Sequence, residues 1–252
     1  MFTTTALYDR ILSSSYNGSK DKSRIRYYLS QLTTALQSQN PNILTFAGPY
    51  GADAKLFAAE IKNSHVISVE QLALIAEKQR RALGHLPNVT FLRTSFGDFI
   101  SGDRPHILTY PVFDCVFLDY IGTYTADKES EIRRLFALNC LAATSVFSAT
   151  FSLCHDSNEL LFKTDMYHNV CGCSMSRYRL SDDERENNME ASMKQKMVNI
   201  ETQICAMAAD ANITLEPDQG SRIYRNRNGD TKGVWMAFLC FKVINHNKRS
   251  QV

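Results

Sequence analysis

The sequence has no surplus of charge of either sign. Lysine and arginine number 28 against 26 aspartates and glutamates, a formal net charge of +2 over 252 residues. Bulk charge therefore advertises no polyanionic partner, and any nucleic-acid contact has to come from a local patch. The seven cysteines are odd in number and scattered. That excludes a disulfide framework and points to free, mostly buried thiols in a reducing intracellular compartment, cytoplasm or nucleus. No secretory leader is expected, because Met1 to Arg10 already contains Asp9 and Arg10 and no apolar run follows. No membrane span is expected either. Leu135 to His155 lacks acidic and basic residues, but it holds Asn139, Thr144, Ser145, Ser148, Thr150 and Ser152. Its second half is β-branched and aromatic, which reads as a helix end running into a buried strand. With 44% apolar residues the chain is in the globular range, and its length suffices to bury a core without disulfide or metal staples.

What is present is an alternation of two periods. Ile25, Tyr28, Leu29, Leu32 and Leu36 recur at helical spacing, with Lys20, Lys22, Arg24 and Arg26 leading into that face. Asn40, Pro41 and Asn42 stop the helix. Short apolar runs follow at Ile43 to Ala47, His65 to Val69, Val89 to Arg93, Cys115 to Asp119 and Ala143 to Leu153, with helical stretches between most of them. Such runs suit a parallel sheet covered on both faces. A long helix from Asp183 to about Asp210 carries Met189, Met193, Met197, Ile200 and Ile204 on one face, which we read as core packing. Ile213 to Leu215, Arg222 to Tyr224 and Val234 to Val243 close the pattern, and Asn228-Gly229-Asp230 signals a hairpin between the last two. The expected organisation is an N-terminal helical extension (1–41), one seven-stranded α/β domain (42–245) and a short tail (246–252). His155 to Ser181 exceeds the ~2–6 residues of ordinary αβ connections and is a candidate cover for a site.

In open parallel sheets, ligands bind outside the carboxyl ends of the strands. Four strand ends therefore matter. After the first strand, Ala47-Gly48-Pro49-Tyr50-Gly51 is a small-residue loop that lets a ligand approach backbone at a helix N-terminus. After the second come Glu70, suited to accept hydrogen bonds from a ribose diol, and Gln71; the alternative for Glu70 is a solvated carboxylate near a helix start. After the third, Gly97-Asp98-Phe99 offers a carboxylate beside aromatic rings, or an Asp capping a short helix. After the fourth, Asp119 and Tyr120 emerge from a buried run, an acceptor for an amino group and a ring able to stack on a base.

This constellation, from about Asn42 to Val243, resembles the class I S-adenosylmethionine-dependent methyltransferases. The resemblance implies a Rossmann-like sheet of order 3-2-1-4-5-7-6 with helices on both faces and a C-terminal antiparallel hairpin. It implies S-adenosyl-L-methionine as cofactor, with the methionine moiety at Ala47, Gly48 and Gly51, the ribose at Glu70 and Gln71, and the adenine at Gly97, Asp98 and Phe99. Asp119 and Tyr120 would sit at the methyl-transfer site. Their stretch Asp119-Tyr120-Ile121-Gly122 is similar to the D/N-P-P-Y/F motif of amino-group methyltransferases, without its proline. The first loop departs from D-x-G-x-G-x-G, with Thr45 at the acidic place and Ala47 and Pro49 at glycine places.

Arg222, Arg225, Arg227 and Lys232 surround the hairpin tip, with Tyr224 among them. Basic residues interleaved with an aromatic ring suit a single-stranded nucleic acid. Lys20 to Arg26 and Arg177, Arg179 and Arg185 form two further basic clusters. Cys154, His155, His168, Cys171 and Cys173 lack the spacing of a zinc site, so no metal is expected. No G-x-G-x-x-G supports a nicotinamide enzyme. The expectation is a methyltransferase acting on an amino or hydroxyl group of RNA or single-stranded DNA; the alternative is a silent methyltransferase-fold protein with a binding or assembly role.

Overall fold

The computed structural model describes residues 20–102, 105–153, 182–226 and 234–249. Helix α1 (Lys20–Ala35) enters first, followed by β1 (Asn42–Thr45), α2 (Ala52–Glu60), β2 (His65–Val69), α3 (Ala73–Leu83) and β3 (Val89–Leu92). A short α4 (Phe96–Ile100) and a 3-10 turn lead to β4 (Phe113–Thr123), α5 (Ala126–Ala137) and β5 (Leu141–Ser152). After these come α6 (Asp182–Asp210), β6 (Ile213–Pro217), β7 (Arg222–Asn226), β8 (Val234–Asn245) and α7 (His246–Arg249). The first five strands are parallel in the order β3-β2-β1-β4-β5, and β8 joins β5 antiparallel. This is the Rossmann-like arrangement that the resemblance implies.

One count differs. The sheet has eight strands, because the outermost position is shared by two. β6 pairs with Ile244 and neighbouring residues at one end of β8, and β7 pairs with Val234 to Phe238 at the other. Pro217 cannot continue a ladder as a donor, and the turn after it interrupts the edge. The Ser221 hydroxyl fills the gap by donating to the Cys240 carbonyl and accepting from the Cys240 N–H. The turn holding Asn228-Gly229-Asp230 lies outside the described residues, as does the covering segment from 155 to 181.

Two apolar layers cover the sheet. On one face Ile25 and Leu29 of α1, Ala54 and Phe57 of α2 and Leu83 of α3 pack on Ile43, Cys115, Phe117, Val146 and Cys240. On the other, Phe99, Ile132, Phe136, Ile204 and Met207 pack on Leu44, Val116, Leu118, Phe147 and Phe241. The alternation of Phe117 and Leu118 between the two layers is the period-2 signature of a strand buried on both sides. Each fully buried side chain of this kind contributes about 1.5–3 kcal/mol. The methionine face of α6 goes where its spacing indicates, with Met193 fully buried and Met189 and Met197 packed beside it. Among the described residues no helix is long and apolar enough to cross a membrane.

The first turn has a definite backbone requirement. Gly48 and Gly51 both have left-handed φ, 62° and 61°, and the Gly51 N–H closes the turn onto the Gly48 carbonyl at 3.1 Å. A Cβ on Gly51 would fall inside the fully buried Leu83 side chain. Gly51→Ala is therefore expected to lose about 2 kcal/mol or more of stability, combining overpacking with left-handed strain. Urea unfolding should show a lower midpoint with an unchanged slope.

Candidate functional site

At the carboxyl ends of β1, β2 and β4 the structure opens a cavity of about 330 Å³. Phe46, Gly48, Glu70, Asp119, Tyr120 and Glu131 are among its walls, with Gln71, Leu72, Ile75 and Phe96 at the β2 and β3 side. Strand order explains the place, since β1 and β4 are neighbours while the chain between them crosses to β2 and β3.

Of the residues singled out above, Gly48, Glu70, Gln71, Asp119 and Tyr120 line this cavity. Glu70 follows β2, and its carboxylate accepts the Leu72 N–H at 2.8 Å ahead of α3. Burial pushes its carboxyl up, against the pull of the Leu72 and Gln71 N–H groups. A carboxylate has about four lone-pair sites, so acceptor capacity remains.

The other five are placed elsewhere. Ala47 is buried in the layer beneath α1 and α2. Gly51 shapes the turn. Asp98 belongs to a helix cap: its N–H bonds to Ser95 Oγ at 3.0 Å, and that hydroxyl donates to its carboxylate at 2.6 Å. Phe99 is 1% exposed and packs against His106 and Tyr110, away from the cavity. The carboxylate that faces the cavity beside Gly97 is Glu131 of α5, whose Oε1 would lie 3.4 Å from a Cβ placed there. Sequence reasoning missed Glu131, since nothing in the spacing of α5 marks it out from its charged neighbours.

One face of the Tyr120 ring is taken by Phe151, which counts against the stacking role expected of it. The ring is 7% exposed and stacks on Phe151 at 5.4 Å and 14°, with Phe46 edge-on at 5.4 Å. Lys128 Nζ lies over the ring at 5.4 Å and donates to the Thr123 carbonyl at 2.6 Å. The Tyr120 hydroxyl donates to Glu131 Oε2 at 2.9 Å. Burial, reinforced by Glu131, holds this phenol protonated far above its usual range.

Asp119 is the most heavily bonded group of the site. Lys22 Nζ of α1 donates to its Oδ2 at 2.6 Å, and Thr150 of β5 donates to Oδ1. The Lys22 and Asp119 side chains are only 4% and 12% exposed. One turn along α1, Arg26 pairs with the buried Asp53 of α2. Burial works against the charge on Asp119, yet Lys22, Thr150 and Arg26 together hold its carboxyl below the usual range. Asp53 has its carboxyl pushed up by burial, with Arg26 opposing that and Asp119 adding to it. Half of the α1 basic cluster is thus not surface: Lys20 and Arg24 are exposed, while Lys22 and Arg26 are buried in ion pairs. Their position, in register with Ile25 and Leu29 on one helical face, is the signal that could have shown this.

At the hairpin, Arg225 lies over the Trp235 ring at 4.3 Å. It pairs across the ladder with Trp235 beside the carboxyl end of β5, where Ser152 faces Met236. Arg227, Lys232, Arg177, Arg179 and the cluster from Cys154 to Cys173 lie outside the described residues. Among the described residues no group of metal-ligating side chains occurs.

No family model matches the chain, and no curated protein matches its sequence. Solved structures do. The TYW2 protein of M. jannaschii, in complex with AdoMet, is 14% identical with a TM-score of 0.51, covering 90% of this chain and 77% of its own. The N-methyltransferase NodS of Bradyrhizobium japonicum, with S-adenosyl-L-homocysteine, is 8% identical with a TM-score of 0.54, covering 94% and 96%. An O-methyltransferase of Bacillus cereus, also with S-adenosylhomocysteine, is 15% identical at 0.50, covering 94% and 87%. The chain has the Rossmann-like fold of the class I S-adenosylmethionine-dependent methyltransferases.

The ion pairs set an acid limit. A carboxyl whose folded pKa lies below its unfolded value of about 3.9 adds stability above that value and loses it as pH falls through the folded pKa. Asp119→Asn should cost about 3–5 kcal/mol at pH 7, since it leaves the Lys22 ammonium buried without its counter-charge. The difference from wild type should shrink as pH falls below about 4. Urea unfolding of both proteins at pH 7 and pH 3 measures it.

Proposed function

We propose that the protein is an S-adenosylmethionine-dependent methyltransferase whose cofactor site is the cavity between β1, β2 and β4. The observation that carries this is the half-buried Glu70 carboxylate in a pocket bordered by the left-handed Gly48 backbone. The residues fit a nucleoside-bearing cofactor in size and chemistry. A volume of about 330 Å³ lies within the ~300–1,000 Å³ of small-molecule sites. Glu70 has lone pairs for two ribose hydroxyls, Leu72, Ile75 and Phe96 supply an apolar wall for a base, and Gly48 brings backbone close without a Cβ. Bound there, S-adenosylmethionine supplies an electrophilic methyl group.

The remaining work belongs to the chain. Asp119, held ionised, is an acceptor-only group that receives a hydrogen bond from the acceptor's amino or hydroxyl group and orients its lone pair. Transfer of this kind depends on holding nucleophile and methyl group in line. Tyr120, Phe46 and Phe151 exclude water from one wall. The structural neighbours include an N-methyltransferase and an O-methyltransferase, which supports either acceptor atom here. For the substrate we favour a nucleic acid. β7 and β8 carry Arg222 and Arg225 along the sheet toward the carboxyl edge on which the cavity opens.

A second reading, cofactor-fold protein without transfer, is favoured by Thr45. It stands where the family has an acidic residue, fully buried, and its hydroxyl has no hydrogen-bond partner among the described residues.

Calorimetric titration with S-adenosylhomocysteine decides the cofactor. Saturable binding is expected, and Glu70→Ala should weaken it by about 1.5–3 kcal/mol, roughly 10- to 150-fold. Absence of binding to the wild type would sink the reading. Binding of single-stranded RNA should weaken with salt by about 0.7 log units per log unit for each phosphate contact. Arg222→Glu should flatten that slope; an affinity indifferent to salt would move the substrate to a small molecule or a protein.

A further inference from the structure

Asp119 reaches the cavity already engaged on both oxygens, and one of those bonds comes from outside the βα succession that builds the cavity. Lys22 belongs to α1, 97 positions earlier in the chain. Its ammonium meets Asp119 on the sheet face opposite Tyr120, in a gap walled by Ile25, Arg26, Asp53, Phe117 and Thr150. Asp119 also borders the open cavity. The carboxylate is therefore shared between a dry, charged underside and an accessible upper wall.

We propose that Lys22 is a positioning residue of the cavity: delivered by the N-terminal helix, its ammonium and the Thr150 hydroxyl clamp the Asp119 carboxylate in one orientation, with its remaining lone pairs presented to an incoming donor. The proposal extends the methyltransferase reading and rests on it for the identity of that donor. Its chemistry is that of a charge-assisted clamp. N⁺–H···O⁻ bonds are roughly twice as strong as neutral ones, and a single ammonium leaves about half of the carboxylate's acceptor sites unused. Without Lys22, a carboxylate taken out of water would protonate or turn toward solvent. A protonated Asp119 would then offer a donor where an acceptor is needed. Arg26 cannot replace Lys22, because it is occupied by Asp53.

The test follows the Asp119 carboxyl carbon by NMR during acid titration of the full chain. The charged and titratable groups around Asp119 are Lys22 and Arg26 on α1 and Asp53 on α2, with Tyr224 on β7 beside Arg26, and on the cavity side Glu70, Asp127, Lys128 and Glu131. Lys22→Met should raise the Asp119 midpoint by about one pH unit or more, and Lys22→Arg should keep it low. The affinity for S-adenosylhomocysteine should be unchanged in both. Methyl transfer to single-stranded RNA should fall at least tenfold at pH 7 in Lys22→Met and recover in Lys22→Arg. An unmoved Asp119 midpoint in Lys22→Met overturns the proposal, as does equal loss of cofactor affinity and transfer in that variant. If Lys22→Met does not fold, the wild type still decides: the Lys22 ammonium resonance must shift with the Asp119 titration, and indifference to it refutes the clamp. Failure of the wild type to bind S-adenosylhomocysteine would count against the cofactor reading alone, since the Asp119 midpoint is measured without it.

Discussion

Two basic side chains one turn apart on α1 end beneath the carboxyl edge of the sheet, each against a buried carboxylate. Taking such ions out of water costs several kcal/mol apiece, and only close partners with further hydrogen bonds offset it. The partners here come from three different segments, α2, β4 and β5. The same contacts that make the charges tolerable therefore fix where α1 lies across the sheet. Ile25 and Leu29, on the same helical face, then pack in one apolar layer with Phe117 and Cys115. Asp119, toward the carboxyl end of β4, has one environment as a result, whichever ligand enters above it.

The walls of the cavity depend on that placement at one remove. Phe117 and Asp119 point to the α1 side, Leu118 and Tyr120 to the α5 side, by the alternation of a strand. Fixing Asp119 from below fixes the Tyr120 backbone, and the Tyr120 ring is then held by Phe151, Phe46 and Glu131. Glu131 in turn lies beside Gly97 at the start of α4. A chain of contacts thus runs from the N-terminal helix across the sheet edge to the β3 side of the cavity.

The alternation of strand and helix was legible because both periods are strong and the punctuation by Gly, Pro and Asn is clear. Glu70 and Asp119 were legible as cavity groups because they are acidic residues where buried apolar runs reach the carboxyl edge of a parallel sheet. Asp98 admits two readings, toward the cavity or in a helix cap, and Ser95, three residues before it, is the partner that takes it. The local bond won over the long-range one. Tyr120 was read as free because a sequence does not display which rings from β1 and β5 converge on it. Lys22 and Arg26 count in the sequence as part of a basic cluster, whereas their register with Ile25 and Leu29 puts them on the buried face.

The split outer position of the sheet has a consequence for the protein's colloidal behaviour. A strand at the end of a sheet offers a row of unpaired N–H and C=O groups to any other chain, and a long, flat one invites intermolecular pairing. Here the row is cut into two five-residue lengths, Ile213–Pro217 and Arg222–Asn226. The turn between them is pinned inward, with Tyr28 of α1 donating to Asp218 and Ser221 bonded into the ladder at Cys240. Neither length gives another chain a continuous template. An arginine at each of two positions on the second length adds charge against stacking. Among the described residues the interrupted edge is a poor template for association, while β8 is paired with β5 on one side and with β6 and β7 over most of the other.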